Sequence, residues 1–276
     1  MNAEFQFDRI GYWSEVKLEI LKQYARAYST ILAAQENPRL SHVYIDGFAG
    51  AGVHLAKATD EFVPGSPWNA LNVKPPFREY HLIDIEPEKV RNLNELIGPR
   101  SDVFIYEGDC NKILVEKVFS RVRYEDYRRG LCILDPYGLH LNWNVILEAG
   151  RMKSLEIFLN FPVADINRNV LWRDPEKVNE SQAARMTAYW GDASWREIAY
   201  QQAGLFGWPE KEPNEVVAEA FRQRLKTIAG FQRVPEPLPM RNSKGAIIYY
   251  LFFASQKDIA EHIVLAIFNK YQNRGG

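Results

Sequence analysis

The chain has 276 residues, with 34 Lys and Arg against 35 Asp and Glu, a formal charge of −1. That balance excludes a protein that grips a long stretch of nucleic acid through many phosphates, which takes a basic surplus; any such contact rests on a local patch. Two cysteines, Cys110 and Cys132, exclude a disulfide framework and a four-Cys zinc site, while 46% apolar and 25% charged residues suit one α/β domain carrying an insertion.

Residues 1–8 lack a signal-peptide pattern and no apolar run is long enough to span a bilayer, so the expected location is the cytoplasm, with no membrane contact. Trp13, Val16, Ile20, Leu21, Tyr24, Tyr28, Ile31 and Leu32 recur at helical spacing, which predicts one long helix over 11–36, ended by Asn37-Pro38. Short apolar runs follow at 42–46, 80–84, 103–107, 131–135 and 155–161, with helical stretches between them, such as 87–97. This rhythm predicts βαβ units and a parallel sheet, whose carboxyl edge is where ligands bind.

The rhythm stops after residue 162. Residues 163–230 read as a helical insertion with Trp172, Trp190, Trp195 and Trp208, placed over the carboxyl edge and supplying rings to a cleft. Within it Asn214 is expected to cap a helix with Val217, Phe221, Leu225 and Ile228 on one face, stopped by Gly230. Pro235, Pro237 and Pro239 make 231–241 an extended sheet edge, Asn242-Ser243-Lys244-Gly245 a turn, and 246–254 a buried strand inserted antiparallel. Ser255 and Asp258 resemble a capping box before a last helix with Ile259, Ile263, Val264, Ile267, Phe268 and Tyr271 as its stripe. The expected domains are 1–162, a cofactor-binding core with the first helix; 163–230, the insertion; and 231–276, strands that complete the sheet plus the last helix.

Four strand ends carry chemistry. Asp46-Gly47-Phe48-Ala49-Gly50-Ala51-Gly52 places glycines directly after a strand, where the backbone turns tightly and approaches a ligand. The spacing is a poor match to a pyrophosphate fingerprint. It resembles motif I of S-adenosylmethionine-dependent methyltransferases, which implies that Asp46, Phe48, Ala49, Gly50 and Gly52 meet the cofactor; the alternative is an ordinary tight turn. Asp84 ends the second strand, where a carboxylate accepts ribose hydroxyls; Glu86 competes for that role, and a helix cap is the structural alternative. Asp109, in Gly108-Asp109-Cys110-Asn111, is placed to receive an adenine amino group with Cys110 packed beside it, or else to cap the next helix.

Asp135-Pro136-Tyr137-Gly138 resembles the motif of enzymes that methylate exocyclic amino groups of bases. The Asp135 side chain and Pro136 carbonyl supply acceptors that aim an amino lone pair, and Tyr137 supplies a stacking face; a plain turn is the alternative. A duplex base has to be flipped out first. Cytosine carbon-5 chemistry needs a thiolate in a Pro-Cys loop, and neither cysteine has that setting. The five His show no metal spacing, so no metal is expected. Arg121, Arg123, Arg128 and Arg129, and again Arg222, Arg224, Lys226, Arg233, Arg241 and Lys244, form basic clusters that are solvated faces or a nucleic-acid patch.

Taken in order, Asp46-Gly47-Phe48-Ala49-Gly50, Gly65-Ser66-Pro67, Ile83-Asp84-Ile85, Gly108-Asp109-Cys110-Asn111, Asp135-Pro136-Tyr137-Gly138, Asn160-Phe161-Pro162 and Tyr250-Leu251-Phe252-Phe253-Ala254-Ser255 resemble the bacterial three-Cys-motif partner proteins over residues 11 to 270. The resemblance implies a Rossmann-like class I methyltransferase fold, a mainly parallel seven-stranded sheet with a helical insertion and an extra C-terminal helix. It also implies pairing with a protein bearing a three-Cys, radical-SAM-like motif, and it carries no activity of its own. Asn160, Phe161 and Pro162, with Arg168 beyond, are expected on the substrate side of the cleft. Two functions follow as expectations. One is methyl transfer from S-adenosylmethionine to an amino group of a nucleic-acid base or nucleotide; the other is a non-catalytic subunit that keeps the fold. A nucleotide hydrolase lacks a P-loop or metal-ligand cluster.

Overall fold

The computed structural model describes residues 8–201, 210–242 and 244–272; the expectations for residues 1–7, Trp208 and Ser243 lie outside them. A two-residue strand, β1 (Arg9–Ile10), leads into α1 (Tyr12–Ala33), which buries Trp13, Val16, Ile20, Leu21, Tyr24 and Tyr28. The helix stops short of residue 36. The five apolar runs become β2 (Ser41–Asp46), β5 (Glu79–Asp84), β6 (Val103–Glu107), β7 (Arg128–Leu134) and β8 (Leu155–Phe161). Among the remaining elements are β3 (Val53–Ala56), β4 (Phe62–Pro64), α2 (Ser66–Leu71), α3 (Pro87–Ile97), α4 (Cys110–Ile113) and α5 (Trp143–Met152). The insertion contributes α6 (Val163–Asn169), α7 (Glu180–Trp190), α8 (Trp195–Ala199), β9 (Tyr200–Gln201), β10 (Glu210–Lys211) and α9 (Asn214–Thr227). The chain closes with β11 (Leu238–Arg241), β12 (Ile247–Ala254) and α10 (Asp258–Asn269).

Seven strands form one sheet in the order β11-β12-β8-β7-β2-β5-β6. The five strands from β8 to β6 are parallel, and β12 lies antiparallel between β8 and β11, pairing Leu251 with Asn160 and Tyr250 with Phe161. The order reverses between β2 and β7, so the carboxyl ends of these neighbours flank a topological switch point, the usual ligand crevice of open α/β sheets. This is the Rossmann-like class I methyltransferase fold. Each face buries its own core. On one side α1 and α10 cover Tyr44, Tyr80, Ile133, Phe158 and Phe253; on the other, α5 and the insertion cover Val43, Ile45, Leu134, Phe161 and Phe252.

The insertion therefore does more than overhang an edge. Trp190 and Trp195 are fully buried, and Phe221 packs on Phe161, Phe252, Tyr189 and Trp143 at ring distances of 4.8–5.7 Å. These rings complete a core and do not line the cleft, because one sheet face would otherwise be bare. Only Trp172 of the described Trp residues in the insertion is substantially exposed.

Two expected caps are corrected. Asn214 is the first helical residue of α9 behind Pro213, and its side-chain oxygen accepts from Asn167 Nδ2 at 2.9 Å. Lys257, not Ser255, precedes α10; the Ser255 hydroxyl accepts from Lys257 N and donates to Glu156, while Asp258 pairs with Arg233. Ile228 and Ile259, expected on buried stripes, are exposed.

A hairpin sits where a Rossmann helix ordinarily begins. The glycine loop runs into β3, turns back through β4, and only then reaches α2; β1 adds to β3 as a parallel third strand. Gly65 N donates to Gly52 O at 2.8 Å, which brings the helix start back to the loop. A Cβ at Gly65 would lie 2.8 Å from that same oxygen, so the closure requires glycine.

Candidate active site

The glycine loop is sewn to both neighbouring strands: Gly47 N donates to Ile133 O and Ala49 N to Ile83 O. Gly50 and Gly52 have φ of +64° and +83°, the left-handed region that glycine enters freely. Asp46 is fully buried and takes hydrogen bonds from Phe48 N, the Tyr44 hydroxyl and Ser66. Burial pushes its carboxyl up to about 6, with the Asp135 charge adding to the shift and these hydrogen bonds opposing it. Asp46 thus braces the loop from beneath. Phe48 is half-buried and Ala49 buried, both packed inward.

Asp84 reaches across to the same loop. One carboxylate oxygen accepts from Gly50 N at 2.8 Å and the other from Glu86 N at 2.9 Å. Each oxygen keeps a second lone pair for a ligand. Glu86, the competitor, is turned toward Lys89. Ile85, between them, is 68% exposed, a large aliphatic side chain left open at the carboxyl edge. Sequence reading passed over it.

Asp109 caps α4: its Oδ1 accepts from Asn111 N and Nδ2, both at 2.9 Å. Asn111 then donates to His140 O and accepts from Asn142 N, tying the loop after β6 to the one after β7. Cys110 is buried, and burial pushes its thiol up to about 12; Cys132 is likewise shifted well up by burial inside β7.

Asp135 follows β7 and is no free turn residue. Its Oδ2 pairs with the Lys17 ammonium, which α1 delivers from the start of the chain. Lys17 is buried, with its Nζ 5.2 Å over the Tyr249 ring, and Tyr249 in turn donates to Trp13 O. Burial works to depress the Lys17 ammonium, but Asp135 chiefly, with Tyr249 and Asp46, leaves its pKa raised. No motif pointed to Lys17, because one lysine on an amphipathic helix reads as solvated.

Beyond Asp135, Tyr137 is 91% exposed. Gly138 abuts the start of α6, where a Cβ would lie 3.0 Å from the Asp165 carboxylate. Arg168 is exposed one turn along α6, and its carbonyl accepts from the half-exposed Trp172 ring nitrogen. The register carries Asn160 alongside Asp135, one step past the Leu134–Leu159 pair. The Asn160 Oδ1 is buried without a partner, while its carbonyl accepts from Tyr189. Phe161 is completely buried in the aromatic core, and Pro162 is buried at the start of α6. Phe161 faces the insertion, packed on Tyr189, Phe221 and Phe252.

The basic clusters are largely engaged elsewhere. Arg121 and Arg128 bind Glu79 at the amino end of β5, the edge opposite Asp135. Arg224 is buried against Asp192, Arg222 binds Glu219, and Arg233 binds Asp258. Among the described residues no helix is long and apolar enough to cross a membrane, and no group of three or more His, Cys, Asp and Glu could hold a metal ion.

No family model matches the chain, and no curated protein matches it. Solved structures do. A Legionella pneumophila protein of the DUF519 family matches with a TM-score of 0.53 and 13% identity over 94% of each chain. A candidate methyltransferase from Thermobifida fusca matches at 0.42 and 14%, over 88% of this chain and 80% of that one. A Leishmania major S-adenosylmethionine-dependent methyltransferase of the DUF858 family matches at 0.39 and 7%, over 88% and 82%. At these identities the likeness is one of fold.

Proposed function

We propose that the protein is an S-adenosylmethionine-dependent methyltransferase acting on an exocyclic amino group of a nucleic-acid base or nucleotide. The single observation that carries this reading is the convergence of Asp84, the glycine loop and the Lys17-bound Asp135 at the switch point of the sheet. The residues fit such a cofactor. Gly50, at positive φ, has room where a Cβ would stand, and Asp84 presents lone pairs from a carboxylate already fixed in place.

In this reading Asp84 holds the ribose hydroxyls, Ile85 packs on the adenine, and the free Oδ2 of Asp109 receives its amino group. Asp46 keeps the loop in register from below. S-adenosylmethionine, when bound, supplies an electrophilic methyl group on a sulfonium. Asp135 Oδ1 and the Pro136 carbonyl accept the N–H groups of the acceptor amine and aim its lone pair, and the carboxylate stabilises the positive charge that grows on nitrogen until one of those protons is lost to solvent. Lys17 fixes the orientation of Asp135, and Tyr137 stacks on the base. Positioning carries the catalysis and no covalent enzyme intermediate is required. Arg168 and Trp172 supply the local basic and aromatic contact that a chain of charge −1 otherwise lacks.

One observation favours a second reading. The Lys17 ammonium already occupies an oxygen of the acceptor carboxylate, which suits a non-catalytic subunit paired with a three-Cys-motif, radical-SAM-like protein. Mass spectrometry of RNA and DNA from cells with and without the protein separates the two. A methylated base found only with the protein supports the enzyme; its absence, with the purified protein inert on both nucleic acids, supports the subunit.

A further inference from the structure

His54 belongs to no motif, yet the fold carries it into the site. It is the second residue of β3, two positions past Gly52, in the hairpin that separates the glycine loop from α2. Its ring lies along the glycines that bracket that hairpin. An ideal Cβ at Gly65 would sit 3.2 Å from His54 Nε2, and one at Gly50 would sit 3.9 Å from Cε1. The absent Gly65 side chain leaves room for the imidazole, which stands in ordinary contact with the Gly50 position.

The ring is half-buried and its Nδ1 is buried without a partner. A proton on Nδ1 would be a buried donor with no acceptor, the costlier arrangement, so the neutral ring carries its proton on Nε2. Burial lowers the His54 pKa, as do Lys17 and Lys89, against the opposing carboxylates Asp8 and Asp135. The shift favours the neutral imidazole, whose Nε2 lies beside Gly65 while Cε1 is turned toward Gly50 of the glycine loop. Neither neighbouring cation competes for a new anion. Lys17 is paired with Asp135, and Lys89 with Asp8 and Glu86.

We infer that His54 donates its Nε2–H to the carboxylate at the amino-acid end of the cofactor, so that the inserted hairpin recognises the methionine moiety. This assignment rests on the cofactor reading above, since the ligand must carry a carboxylate where the glycine loop turns. It makes the hairpin a ligand-reading element and not only a spacer before α2.

Calorimetry near neutral pH with two ligands tests it. S-adenosylhomocysteine has the amino-acid end; methylthioadenosine keeps the adenosine and thioether but lacks that end. His54→Ala is expected to weaken S-adenosylhomocysteine about tenfold or more while leaving methylthioadenosine unchanged, the loss of one hydrogen bond to a charged acceptor. His54→Gln, which restores an N–H donor at similar reach, is expected to recover most of the affinity and to melt like the wild type. Equal weakening of both ligands by His54→Ala, or unaltered binding of S-adenosylhomocysteine, overturns the assignment and leaves the cofactor reading standing. A wild type that binds neither ligand overturns both.

Discussion

Lys17 and Asp135, 118 residues apart in sequence, form an ion pair beneath the carboxyl edge of the sheet, with Lys17 buried and the Asp135 side chain 31% exposed. The pair ties the first helix to the end of β7 and fixes the carboxylate at the heart of the site. Truncating Asp135 strands an ammonium in a nearly dry setting, which costs far more than the loss of a turn residue.

Asp135→Ala should therefore lower stability by about 2 kcal/mol or more, where a simple cap would lose about 1 kcal/mol. Lys17→Met combined with Asp135→Asn removes both charges and should recover much of that loss. Urea denaturation of Asp135→Ala, of the single variants Lys17→Met and Asp135→Asn, and of the double variant that combines the latter two checks this. Additive losses in the double variant would show that the two groups do not interact.

Phe161 and Tyr137 should separate stability from function. Phe161 is fully buried among Phe221, Tyr189 and Phe252, so Phe161→Ala should cost about 3–5 kcal/mol. Tyr137 is 91% exposed, so Tyr137→Ala should melt at the wild-type temperature. Its effect should fall on kcat/KM for the proposed nucleic-acid acceptor, by about 1–3 kcal/mol in transition-state binding. A large fall in melting temperature for Tyr137→Ala would place that ring in the fold instead.

Glu156 gives a pH signature. Burial pushes its carboxyl from 4.5 up to about 6, against hydrogen bonds from Tyr24 and Ser255. Because the folded state binds this proton more tightly than the unfolded chain, the group's contribution weakens as pH rises from about 4.5 to about 6. His42 and His81, each lowered to about 4 chiefly by burial, act in the opposite sense, so the comparison must be between variants. Glu156→Gln should gain stability relative to the wild type on going from pH 4.5 to pH 6.5. Parallel profiles would contradict the shift.

Much of the fold is legible because the parallel strands are short, apolar on both faces and bounded by Gly or Asp. The bounds of α3, β6 and β8 follow directly from such runs. Caps were less readable, since Asn214 and Ser255 found partners across the chain in Asn167 and Glu156. The β3–β4 hairpin escaped notice because three- and four-residue strands carry too little periodicity. Within the site, Asp84 and Asp135 were visible as acids at strand ends. Lys17, Ile85 and His54 were not, because each acquires meaning only from the distant loop that the topology sets beside it. Trp190 and Trp195 misled for the converse reason: aromatic surplus served a second core.

The central claim is that the carboxyl edge holds S-adenosylmethionine, and titration calorimetry with S-adenosylhomocysteine tests it most directly. The wild type should bind with roughly micromolar affinity, and Asp84→Ala should weaken binding by about 2 kcal/mol or more through lost hydrogen bonds to a charged acceptor. A wild-type protein that is folded by its melting curve and yet gives no binding heat, and no thermal shift with excess ligand, would contradict the account.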